Sequence, residues 1–209
     1  MKFFKKHKRD LIIVCAVALF IVALVFVLKD ERTGDDKPKV SGQYYAEINI
    51  RDYGTIKVTL DADIAPITVA NFIKLAEDGF YDGLTFHRII DGFMIQGGDP
   101  DGNGKGGSNE TIKGEFSANG VTNTLSHKRG VISMARATAY DSASSQFFIM
   151  HKDKPSLDGS YAAFGWVTEG IEIVDKICAD TSVEDDNGTV LAANQPVITS
   201  VKIVGNNAE

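Results

Sequence analysis

The chain has 209 residues, of which 44% are hydrophobic and 24% are charged, a composition typical of globular proteins and not of disordered ones. Its net charge is −6, but residues 1–29 carry +5, which leaves −11 (−6 minus +5) for the remaining 180 residues. An acidic main domain argues against nucleic acid as a partner.

An uninterrupted apolar stretch of 18 residues runs from Leu11 to Leu28. As a helix rising ~1.5 Å per residue it would span about 27 Å, close to the ~30 Å hydrocarbon core of a bilayer. Five basic residues precede this stretch, and mixed or acidic residues follow it. The positive-inside rule then predicts a cytoplasmic basic tip over 1–10, a transmembrane anchor over 11–28, and a cell-membrane protein whose remaining residues lie outside the cytoplasm.

Two other interpretations of this apolar stretch stay open. A cleaved signal peptide needs a small-x-small site after an apolar core of 7–15 residues, and Ala16-Val17-Ala18 has that form after only five apolar residues. A lipid-modified cysteine normally follows a small residue, whereas Cys15 follows Val14. An uncleaved anchor fits the sequence best.

The rest of the chain alternates short β-like segments with two helical ones. Residues 29–43 are polar and predict a linker. Alternation predicts strands at both ends of this region, short β-like runs predict the strands between them, and Pro66 marks the start of a helix that ends at Gly79. The predicted strands are 44–50, 55–60, 85–90, 93–96, 131–134, 146–150, 162–167 and 197–204, with a second helix at 171–179 and a polar surface loop over 180–195. Many short strands and few helices predict a mainly β, closed antiparallel barrel.

The segment Phe86–Asp99, FHRIIDGFMIQGGD, concentrates the unusual residues. Side chains two apart on a strand share a face, which places Arg88 on the same apolar face as Phe86 and Ile90. A charge there must find a partner or line a cavity. His87 is interpreted as a hydrogen-bonded packing residue.

This segment and several that follow it closely resemble the cyclophilin family. FHRIIDGFMIQGGD looks like the family signature, and further matches follow in the same order. They are the Gly-rich residues 102–107, Ile132-Ser133-Met134-Ala135, Ser145-Gln146-Phe147-Phe148-Ile149, Leu157-Asp158-Gly159 and Phe164-Gly165. The resemblance covers about residues 44–205, leaving 206–209 as a tail, and its Met134-Ala135-Arg136 variant is similar to bacterial members.

The resemblance implies a closed eight-stranded antiparallel barrel capped by two helices, and a peptidyl-prolyl cis-trans isomerase that assists folding of exported or surface proteins. It implies no cofactor and no metal. Carried over by position, the catalytic residue is Arg88. The pocket for the proline ring would consist of Phe93, Met94, Phe148 and Leu157. The substrate chain would lie along Gln96, the backbone of Ala135 and Arg136, Gln146 and Tyr161.

The chemistry of an X–Pro bond suits an arginine. The peptide bond is stiff because the nitrogen lone pair is shared with the carbonyl, which gives a barrier of ~18–20 kcal/mol. In the twisted transition state the lone pair returns to nitrogen, so a guanidinium that donates to it binds the twisted form better than either planar form. Arginine stays protonated and offers several fixed donors.

Two positions depart from the family pattern. Ser156 stands where the best-known eukaryotic members carry a tryptophan that is associated with cyclosporin binding, so weak cyclosporin binding is expected. Tyr161 stands where many members have histidine and keeps an aromatic edge and a polar tip.

Two other function classes compete with an isomerase. One is a docking module that binds proline-containing polypeptides without turnover. The other is a calcium-responsive scaffold, because Asp99 to Glu110 matches the spacing of an EF-hand loop. A β-like segment precedes that loop where an EF-hand has a helix, and the family match already accounts for the loop. Cys178 is interpreted as a small buried hydrophobe.

Overall fold

The computed structural model describes residues 40–207. The predicted basic tip, the transmembrane anchor and most of the linker lie outside the described residues. Within 40–207, no helix combines the length and the apolar character needed to cross a bilayer.

Eight strands and two α-helices make up the described chain. In order they are β1 (Gln43–Ile50), β2 (Gly54–Asp61), α1 (Pro66–Glu77), β3 (Thr85–Ile90), β4 (Met94–Asp99), β5 (Val131–Met134), β6 (Phe147–Met150), β7 (Ala163–Glu169), α2 (Ile171–Asp180) and β8 (Ile198–Asn207). Short 3₁₀ turns lie at Ser117–Asn119, Pro155–Leu157 and Ala192–Asn194. The predicted strands and helices are all present with small shifts: β1 begins one residue inside the predicted linker, and α1 ends at Glu77 instead of Gly79.

The strands form one antiparallel half-barrel in the order β3-β4-β6-β5-β7-β2-β1-β8. The predicted closed barrel is wrong in one respect, because within the described chain no continuous ladder joins β3 to β8. An isolated bridge, Thr85 to Val197, and the irregular segment 188–198 cover the edge of β3 instead. Pro196 has no N–H to donate and interrupts a regular ladder there, while its carbonyl accepts from Phe86. The covered edge is protected from pairing with other chains.

The two faces of the sheet support two separate apolar clusters. Neighbouring side chains on a strand point to opposite faces, so Phe147 joins the main core whereas Phe148 joins a smaller cluster with Met94 on the other face. In the main core, the ring of Phe72 from α1 packs against Tyr81, Phe147 and Phe164 at centroid distances of 5.1–5.5 Å. The smaller cluster forms the floor of the surface groove described below.

A buried carboxylate fixes the start of α1. The helix begins at Pro66, whose missing N–H is harmless at that position. Glu115, from the long loop before β5, accepts from the N–H groups of Ile67 and Thr68 at 3.0 and 2.7 Å and from the Thr68 hydroxyl at 2.7 Å. Free N–H groups at a helix start favour such an anion, so this contact ties the loop to the helix.

A β-bulge changes which side chains of β3 face the groove. Phe86 pairs with Gly97 while Arg88 pairs with Gln96, so β3 holds one extra residue at His87. A bulge of this kind re-aims the side chains that follow it. The prediction that Phe86 shares a face with Arg88 is therefore wrong. Phe86 and Ile89 are buried in the main core, whereas Arg88 lines the groove and Ile90 packs against the smaller cluster.

Asp99 holds the Gly-rich loop that follows β4. Its buried carboxylate accepts from the N–H groups of Asp101 and Asn103 at 2.9 and 3.0 Å, and from that of Gly104. Burial alone would raise the pKa of Asp99, but these donors and the N–H of Gly106 outweigh burial and hold the pKa below its ordinary value. A side chain at Gly106 would collide with this carboxylate, which explains a glycine there.

We expect Asp99→Asn to lower the free energy of unfolding by about 1.5–3 kcal/mol at pH 7, because charge-assisted hydrogen bonds are lost. Since the folded-state pKa lies below the ordinary 3.8, the contribution is present above that value and is lost as the pH falls through the folded-state pKa. Urea unfolding of the full chain from pH 7 to pH 2 measures the difference. Asp101→Asn, an exposed change in the same loop, is the control, and an equal loss in both variants would contradict the assignment.

Candidate active site

One groove on the outer face of the half-barrel contains all ten residues that the sequence predicts to be catalytic or substrate-binding. Its main cleft has a volume of about 450 Å³, within the range of ligand-binding cavities. A smaller side pocket adjoins the cleft and shares Gln96, Ala135 and Arg136 with it. The main cleft contains Arg88, Phe93, Met94, Gln96, Ala135, Arg136, Phe148, Leu157 and Tyr161, and the side pocket contains Gln146.

The guanidinium of Arg88 is held at the edge of the main cleft by Gln96 on the neighbouring strand and by Asn187, 99 positions along the chain. Its Nη1 donates to Gln96 Oε1 at 3.1 Å, and its Nε and Nη2 donate to the carbonyl and the side-chain oxygen of Asn187 at 2.8 and 3.2 Å. A guanidinium has five N–H donors, so two are not used by these bonds. Burial lowers the pKa of Arg88 against the opposing effects of Tyr161 and Asp185, and arginine remains a cation at neutral pH.

A chain of amides continues from Arg88 into the side pocket. Gln96 Nε2 donates to Gln146 Oε1 at 2.9 Å, and Gln146 Nε2 donates to the carbonyl of Gly106 at 2.8 Å. These bonds fix the amide orientation of both glutamines and join β4 to the Gly-rich loop. The N–H of Ala135 is taken by the Gln146 carbonyl at 3.0 Å, so Ala135 can offer a substrate chain its carbonyl but not its N–H.

The floor of the main cleft is apolar and rigid. Met94 and Phe148 are almost fully buried, while Phe93 and Leu157 are partly exposed at its rim. The Phe148 ring stacks on the imidazole of His127 at 6.0 Å and 17°, and meets the edge of Tyr161 at 5.9 Å. A pocket of this shape suits a compact apolar ring such as that of proline.

His127 is a structural residue beneath this floor. Its Nδ1 bonds to Asp158 at 2.8 Å and its Nε2 to the Ser133 hydroxyl at 3.0 Å. Burial lowers the pKa of His127, although Asp158 opposes this effect, so the imidazole is neutral at pH 7. The sequence alone indicates no role for His127, because its hydrogen-bond partners lie elsewhere in the chain.

Arg136 lies among aromatic rings at the junction of the cleft and the side pocket. Its guanidinium carbon is 5.1 Å from the ring centres of Phe116 and Tyr140 and 4.7 Å from that of Tyr161. Its Nε donates to the Ser160 carbonyl at 3.0 Å. Such contacts hold the side chain in place and leave its positive charge facing the groove.

Two sequence-based interpretations need correction. His87 is buried, as predicted, but neither ring nitrogen has a hydrogen-bond partner within the described residues, so it is not a hydrogen-bonded residue. The polar segment 180–195 is more than a surface loop: Asn187 and Thr189 line the main cleft, and the Gly188 carbonyl accepts from Ile89 at 2.8 Å. The Asn-Gly pair at 187–188 predicts a turn but not its contact with Arg88.

In both candidate metal sites, several of the ligand atoms already have partners within the described residues. In the EF-hand-like loop, the Asp99 carboxylate already accepts backbone N–H groups, and Glu110 pairs with Lys74 at 3.5 Å. A second group, Asp91, His151 and Cys178, has ligand atoms within 4.8 Å of one another. There His151 Nδ1 accepts from the Gly92 N–H at 2.9 Å and Nε2 lies 3.0 Å from Asp175. Burial raises the pKa of half-buried Cys178 to about 12, which disfavours the thiolate that a metal needs.

Comparisons with known proteins agree with this geometry. The family model "Cyclophilin type peptidyl-prolyl cis-trans isomerase/CLD" matches residues 45–205. The chain is 50% identical over 123 residues to peptidyl-prolyl cis-trans isomerase B of Bacillus subtilis, covering 59% of this chain and 82% of that protein. It is 48% identical over 126 residues to a peptidyl-prolyl cis-trans isomerase of Helicobacter pylori, covering 59% and 74%.

A solved structure has the same fold. A cyclophilin-type isomerase of Cryptosporidium parvum, determined in the presence of the dipeptide Ala-Pro, superposes with a TM-score of 0.68 at 31% identity, covering 78% of this chain and 99% of the other. The residues that the family model matches include the whole groove. The chain therefore belongs to the cyclophilin-type peptidyl-prolyl cis-trans isomerase family.

Proposed function

We propose that this isomerase uses Arg88 to stabilise the twisted transition state of X–Pro bonds in polypeptide substrates. The observation that supports the proposal is the guanidinium held beside an apolar cleft, with two of its five donors unused by Gln96 and Asn187. The cleft formed by Phe93, Met94 and Phe148 binds the proline ring, which places the prolyl nitrogen beside Arg88.

Rotation about the X–Pro bond needs no nucleophile and no general base. As the bond twists, the prolyl nitrogen regains its lone pair and becomes an acceptor, to which an unused N–H of Arg88 donates. The planar ground states lack this acceptor, so the bond forms only in the transition state and lowers the barrier. One charge-assisted hydrogen bond of ~1.5–3 kcal/mol corresponds to about one to two decades in rate.

The cleft and the two glutamines beside it position the substrate. An apolar, nearly dry floor holds the ring still while the chain before the proline turns, and Gln96 and Gln146 present amides to that chain. Ser156 lies exposed on the 3₁₀ turn beside Leu157. A serine there provides no aromatic wall, and on this basis we also propose that cyclosporin binds weakly.

We expect Arg88→Ala to slow cis/trans exchange of an X–Pro peptide about 10- to 150-fold at unchanged peptide affinity, because one charged hydrogen bond to the transition state is lost. Exchange spectroscopy by NMR measures the rate, and titration of peptide chemical shifts measures the affinity. Arg88→Lys is the matched variant; a lysine keeps the charge but not the planar fork, so it should recover only part of the rate. Full activity of Arg88→Ala would make Arg88 a structural residue, and binding without acceleration by the unaltered chain would make the protein a docking module.

We expect Asn187→Ala to slow exchange about two- to fivefold, because the guanidinium loses its bond to the Asn187 side-chain oxygen and spends less time in the productive position. Its bonds to Gln96 and to the backbone carbonyl of residue 187 remain. The effect should fall on kcat more than on KM, since Asn187 acts through Arg88. Asp186→Asn is the control, being an exposed neighbour in the same loop. Equal activity of the Asn187 and Asp186 variants would show that the Asn187 side chain does not position Arg88.

We further propose that the domain acts outside the cytoplasm on exported or surface proteins, tethered by the apolar stretch 11–28. Support comes from the charge asymmetry around that stretch. In a bacterial host, the full chain should fractionate with the membrane, and protease added to spheroplasts should cut it between residues 29 and 43. Recovery in the soluble fraction, or full protection from the protease, would contradict the proposal.

A further inference from the structure

The groove is positively charged in a chain that is negative overall. Three cations, Arg88, Lys105 and Arg136, line the main cleft, and two of them, Lys105 and Arg136, also line the side pocket. Among the described residues that line either space, none is an aspartate or a glutamate. The net charge of the whole chain is −6, so the positive charge of the groove is a local feature and not a reflection of composition.

Three basic residues outside the groove pair with a carboxylate, whereas the three groove cations do not. Lys57, Lys74 and Arg129 each lie within 4.0 Å of an acidic side chain. Within residues 40–207, no carboxylate comes within ion-pair distance of Arg88, Lys105 or Arg136.

Arg136 is rigidly held without being neutralised. Its donors bond to the carbonyls of Ser160, Ala137 and Thr138 at 3.0, 2.9 and 3.3 Å, and its flat faces meet aromatic rings. Neutral oxygens and rings orient a guanidinium but do not cancel its charge. An anionic ligand group would therefore gain an interaction that the free protein does not already satisfy.

The order of the hydrogen-bonded amides, Gln96 and then Gln146, indicates which part of a substrate would carry the anionic group. With the prolyl nitrogen at Arg88, the chain before the proline leaves along Gln96 and Gln146, which bond in sequence toward the Gly106 carbonyl. That direction leads into the side pocket, where Lys105 and Arg136 are. An extended chain advances about 3.3–3.6 Å per residue, so a side chain one or two residues before the proline reaches them.

We propose that the groove selects X–Pro bonds that are preceded by an acidic side chain, whose carboxylate faces Lys105 and Arg136. The inference rests on the proposed function for the placement of the proline. The exposed position of Lys105 makes the preference moderate, and screening by salt makes it depend on ionic strength.

Three peptides that differ at one position test the proposal: Glu-Ala-Pro, Gln-Ala-Pro and Lys-Ala-Pro within the same flanking sequence. Glu and Gln have nearly the same shape, so the ratio of their kcat/KM values isolates the charge. With the full chain at low salt we expect Glu to exceed Gln about three- to tenfold, and Gln to exceed Lys. At 1 M NaCl, where the screening length is about 3 Å, the Glu-to-Gln ratio should approach one.

A pair of charge-reversal variants tests whether Lys105 causes the preference for the Glu peptide. Lys105→Glu should bring the Glu-to-Gln ratio close to one or below it, whereas Lys202→Glu, which makes the same change of net charge at an exposed site on β8, should leave the ratio unaltered. Equal loss in both variants would mean that overall charge and not the groove sets the preference, and would overturn the proposal.

Separate measurement of binding and exchange keeps the two proposals distinguishable. Turnover of the Gln peptide with no advantage for Glu would overturn the acidic preference and leave the isomerase mechanism intact. Tighter binding of the Glu peptide without acceleration of any peptide would support the preference and refute the proposed catalytic role. Equal affinities and equal rates for Glu, Gln and Lys would exclude any role of the groove cations in selection.

Discussion

The three hydrogen bonds that fix the Arg88 guanidinium to Gln96 and Asn187 are the constraint on which the groove depends. A free arginine side chain loses roughly 2 kcal/mol of conformational entropy when it is ordered, and here the folded protein bears that cost before a substrate arrives. The same bonds link strand β3 to strand β4 and to the loop before β8. The fold thus supplies a fixed cation beside an apolar floor, which is the arrangement that the proposed mechanism requires.

Several parts of the fold converge on that one side chain. The bulge at His87 turns Arg88 away from the main core, and the irregular segment 188–198 covers the β3 edge while bringing Asn187 within reach. Asp99 orders the Gly-rich loop whose Gly106 carbonyl ends the chain of amides. These features are irregular parts of the backbone, and irregular backbone of this kind is often found around functional sites.

Sequence patterns predicted the regular parts of this architecture and the residues of the groove. Alternation located β1, β2 and β8, and short β-like runs located the other five strands. The ordered motifs brought together ten residues that do line one groove. Alternation could not reveal the bulge at His87, since an inserted residue leaves the composition of a strand unchanged. Asn187 was missed because it lies 99 positions from Arg88, and nothing in a polar turn indicates what it contacts. The interrupted ladder between β3 and β8 also depends on Pro196 and the 3₁₀ turn before it, whose effect on pairing is visible only in the assembled sheet.

A crystal structure of the protein with a bound X–Pro peptide tests the central claim most directly. The account predicts that the proline ring lies on Met94 and Phe148, with the prolyl nitrogen facing an N–H of Arg88 and the bonds to Gln96 and Asn187 retained. A proline ring bound elsewhere in the groove, or an Arg88 side chain that leaves Gln96 and Asn187 to pair with a substrate carboxylate, would contradict it.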